Sequence, residues 1–368
     1  MQRDTITFRQ YSAAAFVALF SPISRLLPKA VLELAGISGW VAAPLAYVPM
    51  MGLMWVMNRL LTVGGRSVGL ADALTARVGK VAGKAVCAFL ALWIVGYGGF
   101  LLRSGGERLL STVYPTADLG FFMVAMMAAS TVAAIGKLRY AVRSAVVIEL
   151  LFALALVLIY LLALPNVELE YIWPVNVLQA DRIALSVLPV VNVLSPWVYF
   201  TFLRGRVTED QHPLRRSYQR LAVLVVIVLL FLITTVGILG PELSLRQQFP
   251  FFVMIKNLSL FNVMERFEPV VVVVWVMSDY VCITLLLLSV STALQRLLGV
   301  GRRGVYVLPC AAGMLAAAFL MAPDAFQFTK LSHLIVPAAN MAIVFLLFPF
   351  LLLLSVIIKK QKKKQKRC

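Results

Sequence analysis

Apolar runs of about twenty residues recur along the chain, and they constrain the fold more than any other feature. A run of about 20 apolar residues, rising about 1.5 Å per residue as a helix, spans the hydrocarbon core of a bilayer. Lipid offers the backbone no hydrogen-bond partner, so a spanning run must satisfy its own N–H and C=O groups. The alternating segments of about ten residues that a barrel needs are not evident. The sequence therefore predicts an all-α integral membrane protein.

Composition and charge support this prediction. Of the 368 residues, 61% are hydrophobic and 14% are charged, which leaves too little polar surface to cover a soluble domain of this length. The net charge of +18 comes from Lys and Arg residues that lie mainly between the apolar runs. That distribution is typical of cytoplasmic loops, so we expect no nucleic-acid partner.

The apolar runs predict about ten spans. Their approximate bounds are 8–35 (interrupted), 39–61, 81–103, 119–136, 144–164, 182–204 (interrupted), 218–240, 268–295, 304–322 and 334–358. A short helix over Phe249–Val263 is predicted on the outer surface. If the N terminus is inside, most of the 34 Lys and Arg residues fall on that side, which favours two cytoplasmic termini and an even number of spans.

One domain accounts for nearly the whole chain. Residues 1–358 form a single transporter-like domain with repeats at about 8–164 and 182–358, and 359–368 form a basic cytoplasmic tail. The positive charges of the tail hold the end of the last helix at the cytoplasmic side, attract anionic lipid, or do both. The sequence shows no metal-ligand spacing, phosphate loop or nucleophile motif, and His212 and His333 are far apart. It predicts neither an enzyme nor a cofactor or metal site.

Two Ser-Pro dipeptides, Ser21-Pro22 and Ser195-Pro196, interrupt spans one and six. Each proline removes a backbone donor about 14 residues into its predicted span. Interrupted helices at corresponding places in two halves indicate a transporter site near the bilayer midplane. Because each half holds five spans, the halves would form a 5+5 inverted repeat. The alternative, that each proline only kinks its helix, stays open.

The groups freed at the breaks suit a small zwitterion. The N terminus of a half-helix favours a carboxylate, and unwound carbonyls favour an ammonium group or a cation. An amino acid is therefore the predicted ligand class. The glycines around Tyr97 permit close backbone approach to a ligand or to another helix. The candidate ligand-binding residues are Ser21, Pro22, Ile23, Ser24, Tyr97, Gly99, Asn192, Ser195, Pro196, Tyr199 and Ser278.

Charged residues inside the predicted spans form a second group of candidates. Asp279 lies within an apolar run, where a carboxylate binds a cation, relays a proton or pairs with an arginine. Glu149 is nearer the interface, and a structural network is the favoured role. Arg25, Arg103 and Arg108 fall near the outer ends of their spans, where they either extend toward the membrane surface, which is the favoured role, or attract an anionic group to the mouth.

Several short motifs, taken in order, resemble one known family. They are Ile6-Thr7 with Gln10, Leu27-Pro28 with Ala35-Gly36 and Trp40, and the stretch from Phe249-Pro250 through Glu265-Arg266-Phe267-Glu268 to Trp275 and Ser278. Together they resemble the spore germination permeases, which are the B-type subunits of nutrient germinant receptors. This family lies within the amino acid–polyamine–organocation superfamily.

The resemblance implies a LeuT-like fold and a sensory role. It implies that the chain binds a small nutrient, often an amino acid, in the inner membrane of the spore, together with A-type and C-type receptor subunits. The chain departs from the family at Ser21–Ser24, where relatives commonly carry glycine. The alternatives are a secondary transporter of amino acids or polyamines with Asp279 as coupling group, and an ion-conducting or scaffolding subunit that binds no nutrient.

Overall fold

The computed structural model describes residues 4–208, 210, 212–258, 268–299, 301–322 and 324–365. This part of the chain is almost entirely helical. Seven helical stretches are long and apolar enough to cross a membrane by length and composition, and two further apolar helices are shorter. The prediction of an all-α membrane protein is therefore confirmed, whereas the exact number of spans stays a prediction.

The α-helices follow one another with short connections. Their bounds are α1 Phe8–Ala35, α2 Ala42–Leu61, α3 Leu70–Val78, α4 Lys80–Thr112, α5 Leu119–Ile135, α6 Leu138–Ala163, α7 Ala180–Leu194, α8 Pro213–Arg246, α9 Pro250–Lys256, α10 Glu268–Leu298, α11 Gly304–Leu320, α12 Ala325–Lys330, α13 Val336–Met341 and α14 Phe348–Gln365. A small hairpin, β1 Thr62–Val63 and β2 Arg66–Ser67, joins α2 to α3.

Several elements depart from α geometry. Short 3₁₀ segments occur at Gly36–Val41, Leu164–Asn166, Leu169–Tyr171 and Val177–Gln179, and a long one follows α7 at Ser195–Arg206. Two π-helical segments, Leu331–Ile335 and Ala342–Leu347, flank α13. Spans six and ten therefore contain long stretches of non-α backbone, and such π and mid-helix 3₁₀ turns are frequent at functional sites.

The prediction that the helix of span one is interrupted at Ser21-Pro22 is wrong. α1 continues for 28 residues through both Pro22 and Pro28. A proline removes only its own N–H from the ladder, and packing against neighbouring helices is enough to hold the rest. The second interruption is confirmed, because α7 ends at Leu194 and the chain continues as a 3₁₀ helix from Ser195.

α1 and α10 form the centre of the molecule. α1 packs against α6, α7, α8 and α10, while α10 also contacts α4, α5 and α11. Burial on all sides explains why both sequences are nearly continuous apolar runs rather than amphipathic stripes. Polar residues in the middle of these helices, such as Ser21 and Ser278, therefore face protein, whereas Glu33 and Arg296 near the helix ends are exposed.

The N-terminal residues hold α1 to two other elements. A capping box starts the helix: the Gln10 N–H donates to Thr7 Oγ1 at 3.2 Å, and the Thr7 N–H donates to Gln10 Oε1 at 3.0 Å. Ile6 pairs in parallel with Val207, beyond the end of the 3₁₀ segment. The Asp4 carboxylate accepts the backbone N–H groups of Leu138 and Arg139 at the start of α6.

Two further expectations are wrong, and a third is tested only in part. Arg25, Arg103 and Arg108 are buried at 7%, 6% and 1% exposure, so the expectation that they reach the membrane surface is wrong. α4 extends to Thr112, beyond the predicted end of span three, which brings Arg108 into the helix. The predicted outer helix is observed only over Pro250–Lys256, and its end at 259–263 lies outside the described residues.

Candidate functional site

A side chain from α10 interrupts the backbone ladder of α1. The Ser278 hydroxyl donates to the Val17 carbonyl at 2.7 Å, and the Ser21 N–H donates to Ser278 Oγ at 2.8 Å. In a regular helix the Ser21 N–H would bond directly to the Val17 carbonyl. The Ser278 hydroxyl therefore stands between these two backbone groups. α1 remains helical, with one turn closed through a side chain of α10.

Arg108 links this turn to a buried acid. Its Nη1 donates to Ser21 Oγ at 2.6 Å, and its Nη2 donates to Asp279 Oδ2 in an ion pair. The guanidinium carbon lies 4.6 Å from the centre of the Trp275 ring, within the range of cation–π attraction. An arginine that is 1% exposed needs such partners, because an unpaired buried charge is strongly destabilising.

Ser24 completes the arrangement. Trp275 Nε1 donates to Ser24 Oγ at 2.6 Å, and the Ser24 hydroxyl donates to the Ser21 carbonyl at 3.0 Å. One cooperative cluster thus connects α1, α4 and α10. We call it the Arg108 network; its members are Ser21, Ser24, Arg108, Trp275, Ser278 and Asp279.

The local sequence of α4 makes room for this pairing. Gly105 precedes Arg108 by three residues and therefore lies on the same helix face. A Cβ atom at Gly105 would stand 2.8 Å from Asp279 Oδ2, closer than real side chains come. The glycine thus lets the Asp279 carboxylate approach the helix next to the guanidinium.

A second, uncharged cluster surrounds the junction between α7 and the 3₁₀ segment. Asn340 Nδ2 donates to Asn192 Oδ1 at 2.7 Å and to Ser195 Oγ at 3.0 Å. Asn340 Oδ1 accepts the Tyr199 hydroxyl at 2.6 Å, and Trp93 Nε1 donates to that hydroxyl oxygen at 2.8 Å. We call these five residues the Asn340 network. It joins α4, α7, the 3₁₀ segment and α13.

The structure groups most of the predicted site residues but not all. Ser21, Ser24, Ser278 and Asp279 meet in the Arg108 network, and Asn192, Ser195 and Tyr199 meet in the Asn340 network. Tyr97 lies beside the latter, with its ring centre 5.7 Å from that of Tyr199. The remaining candidates Pro22, Ile23 and Pro196 are buried beside these clusters.

Two candidates lie elsewhere. A Cβ atom at Gly99 would be 2.6 Å from the Met314 carbonyl oxygen, so this glycine packs against the α11 backbone and does not face either break. Glu149 accepts a hydrogen bond from Arg220 of α8 in an ion pair away from both networks. Close helix packing, the alternative that the sequence left open for the glycines, accounts for Gly99.

Sequence reasoning missed Arg108, Trp275, Asn340 and Trp93 as parts of these clusters. One signal was available for Arg108: a carboxylate such as Asp279 inside an apolar run requires a partner of opposite charge. Asn340 gave a weaker signal, since a lone amide in an apolar run needs hydrogen-bond partners but does not reveal which. Nothing in the sequence indicated the positions of Trp93 and Trp275 relative to the breaks.

A cavity of about 270 Å³ borders the Arg108 network. It opens between α1, α4, the connection before α9, and α12 with the π segment that follows it. Its lining residues are Arg25, Lys29, Ser104, Glu107, Arg108, Gln248, Phe249, Phe328, Thr329, Ser332 and His333. Arg108 belongs to both the cavity wall and the network, so a molecule in the cavity can reach the network through it.

A smaller, apolar cavity of about 90 Å³ lies near the start of α1. Residues of α1, α2 and α8 form most of its wall, and Leu194 and Trp197 bring it to the junction in span six. The two cavities therefore approach the two Ser-Pro sites separately, and the larger one carries more charged groups, since only Arg220 is charged among the described residues that line the smaller one.

Comparisons with known proteins agree with this architecture. A profile of the family described as "Spore germination protein" matches residues 5–326. The structure of a Na⁺-coupled sialic acid symporter, in a substrate-bound outward-open state, is similar with a TM-score of 0.57 and 12% identity, covering 91% of this chain and 79% of that one. A nucleobase-cation-symport-1 family transporter, in a closed conformation with bromovinylhydantoin bound, gives a TM-score of 0.56 and 14% identity, covering 96% and 80%.

At these identities the two structures are informative about the fold alone, which is that of LeuT-like transporters. No match was found among curated protein sequences. The prediction of a LeuT-like, all-α membrane fold is confirmed, whereas the count of ten spans and the 5+5 inverted repeat stay predictions.

Proposed function

Because the chain belongs to the spore germination protein family, we propose that it is the membrane subunit of a nutrient germinant receptor. In this proposal a small nutrient, with an amino acid as the first candidate, binds beside α1 and α10 and triggers germination. The chain would act in the inner spore membrane with both termini in the cytoplasm. A-type and C-type receptor subunits would be its partners, and the basic tail at 359–368 would contact anionic lipid.

The Arg108 network carries this proposal. Side chains of two other helices bond to one turn of α1: Ser278 closes its backbone, and Arg108 donates to the Ser21 hydroxyl. A ligand with a carboxylate can accept the same donors that Asp279 and Ser21 now occupy. The cavity beside Arg108 gives such a ligand a route to them.

Binding would act on the position of α1. A ligand shifts a conformational equilibrium only by its differential affinity for the two states. A ligand that draws Arg108 away from Asp279 or Ser21 loosens the contact between α1, α4 and α10. Since Ile6 is paired with Val207, a movement of α1 is also transmitted to the end of the 3₁₀ segment.

Germination of spores carrying Ser24→Ala tests the proposal. This change removes the acceptor of Trp275 Nε1 and the bond to the Ser21 carbonyl, with little loss of volume. We expect a higher nutrient concentration for half-maximal germination at unchanged receptor abundance. Ser186→Ala is the matched control, because its buried hydroxyl bonds only to the Ile183 carbonyl, outside both networks.

Equal nutrient sensitivity of the Ser24→Ala and Ser186→Ala spores, with normally assembled receptors, would contradict ligand binding at the Arg108 network. Normal germination of spores that lack the chain, when its own nutrient is supplied, would contradict the receptor role itself.

A secondary transporter is the second candidate, because the similar solved structures are cation-coupled symporters. The pairing of Asp279 with Arg108 speaks against Asp279 as a free coupling group. Uptake of labelled amino acids into proteoliposomes separates the candidates. Saturable, gradient-driven uptake by the chain alone would favour a transporter, whereas binding without uptake would favour a sensor.

A further inference from the structure

Arg25 is a buried cation that has no counter-ion among the residues that the structure describes. It lies one turn after Ser21 in α1, lines the 270 Å³ cavity and is 7% exposed. Its Nε atom is buried and has no hydrogen-bond acceptor, and no residue of the described chain forms an ion pair with it. A buried guanidinium calls for an anionic partner, because an unpaired buried charge is strongly destabilising.

The acids nearest to this cavity are already engaged. Glu107 accepts from Arg103 Nε at 2.9 Å, and Asp279 accepts from Arg108. Lys29, also in the cavity wall, adds a further positive charge, with Glu33 4.0 Å away on the exposed side of α1. Arg108 presents a second unpartnered nitrogen, its Nε. Positive charge therefore exceeds negative charge around the cavity.

We propose that this cavity binds a small carboxylate and that Arg25 is its main receptor. A guanidinium offers two parallel N–H donors that match the two oxygens of a carboxylate. The anion would also cancel the buried charge of Arg25, which otherwise destabilises the folded chain. This inference rests on the proposed function, since it gives the chemical class of the nutrient at the entrance to the Arg108 network.

The rest of the wall is consistent with a small organic acid. Phe249 and Phe328 supply apolar surface, while Ser104, Ser332 and His333 supply hydrogen-bonding groups. Ser332 and His333 belong to the π segment Leu331–Ile335, whose irregular backbone brings them into the wall. A carboxylate on Arg25 would place the remainder of the molecule between these groups and Arg108.

Paired probes that differ only in the carboxylate test this inference. The full chain is purified into nanodiscs, and its melting temperature is measured with acetate against acetamide and with L-alanine against L-alaninamide. Chloride and inorganic phosphate serve as further arms, to distinguish a carboxylate site from a general anion site. We expect concentration-dependent stabilisation by the carboxylate member of a pair and none by its amide.

Variants of Arg25 test whether the stabilising carboxylate binds at this residue. Arg25→Gln should weaken the carboxylate response by about tenfold or more, the usual effect of losing hydrogen bonds to a charged group. Arg25→Lys should retain part of it, because the charge remains. Arg182→Gln, which changes an exposed arginine outside the cavity wall, should respond like the unchanged chain.

The outcomes separate this inference from the proposed function. Equal responses to acid and amide, or a full response in Arg25→Gln, would overturn the carboxylate site while leaving nutrient sensing intact. Stabilisation by chloride or phosphate without any response to carboxylates would also overturn it. If no carboxylate stabilises the unchanged chain, the inference fails, and the spore experiment with Ser24→Ala still decides the proposed function. The acid–amide pairs need no variant, so a misfolded Arg25→Gln chain would not prevent the test.

Discussion

The same dipeptide, Ser-Pro, occurs in spans one and six but leads to two different backbone structures. At Ser21-Pro22 the helix continues, because Ser278 and Arg108 supply partners from α10 and α4. At Ser195-Pro196 the α-helix ends and a 3₁₀ helix of 12 residues follows, supported by the neutral Asn340. The neighbouring helices, rather than the proline, therefore decide whether a span keeps its α geometry.

The Arg108 network and the Asn340 network also differ in charge. The Arg108 network contains an ion pair and borders a cavity with excess positive charge. The Asn340 network contains only amide, hydroxyl and indole groups. Charge in a low-dielectric interior is costly, so it is retained where a ligand or a moving partner uses it. This contrast is why the proposed nutrient site lies at the Arg108 network and not at the Asn340 network.

The largest expected effect comes from Arg108→Ala. This change leaves Asp279 buried without its cation, and breaking a buried pair costs about 3–5 kcal/mol. Denaturation in mixed micelles, followed by circular dichroism, measures the loss of stability. The double variant Arg108→Met with Asp279→Leu should recover much of it, since both charges are removed. A loss below about 1 kcal/mol in Arg108→Ala, the range of an exposed pair, would show that the charges are not buried together.

Asn340→Ala should have a smaller effect. It leaves Tyr199 and Asn192 without their amide partner, and each buried polar group left unsatisfied costs about 1–3 kcal/mol. The same denaturation assay applies. Asn166→Ala is the control, because its exposed side chain bonds only to the Leu162 carbonyl and should change stability by less than about 0.5 kcal/mol. If Asn340→Ala destabilises as much as Arg108→Ala, the contrast between charged and neutral breaks fails.

Gly99→Ala tests whether α4, which carries Trp93 and Arg108, is held rigidly between the two networks. The new Cβ would meet the α11 backbone, and such overpacking costs about 1–3 kcal/mol. Gly96→Ala is the matched control, since nothing lies within 4 Å of its added Cβ. It should be neutral or stabilising, because alanine favours the helix. Equal stability of the two variants would argue that α4 can shift.

Ser278→Ala should have the smallest effect on stability. The Ser21 N–H can then bond directly to the Val17 carbonyl, so the net loss is about 1 kcal/mol. Hydrogen exchange at the amide of Ser21, measured by mass spectrometry, reports the local change. We expect an altered exchange rate there and none in Ser291→Ala, whose hydroxyl bonds within α10 to the Leu288 carbonyl. Identical exchange in both variants would show that Ser278 does not close the turn.

Much of the fold followed from the sequence because hydrophobic length is a local property. Each apolar run is long enough to fix a helix without knowledge of its neighbours. The α-helix of span six does end at Ser195-Pro196 as predicted, but the same dipeptide leaves α1 helical, so the dipeptide alone does not decide the outcome. The continuity of α1 could not be predicted, because it depends on Ser278, which lies 257 residues from Ser21 in the chain.

The candidate site was predictable only in part. Serines beside a proline in a membrane helix indicate freed polar groups, and Ser21, Ser24 and Ser195 do take part in the networks. The partner of Asp279 could not be chosen from the sequence, because pairing requires the relative rotation of α4 and α10. The burial of Arg25 depends in the same way on how the helices around it pack.

The hydrogen bonds made by Asp4 and Ile6 at the N terminus limit how α1 can move. Ile6 makes two backbone hydrogen bonds with Arg206 and Thr208, at 3.1 and 2.8 Å, and Asp4 accepts two amide N–H groups at the start of α6. A swing of α1 as a rigid rod must therefore carry the ends of two other helices with it or break these four hydrogen bonds together. In a rigid pivot about these first residues the displacement would grow along α1, so Arg25 would move farther than Tyr11, and the end at Ala35 would move farthest.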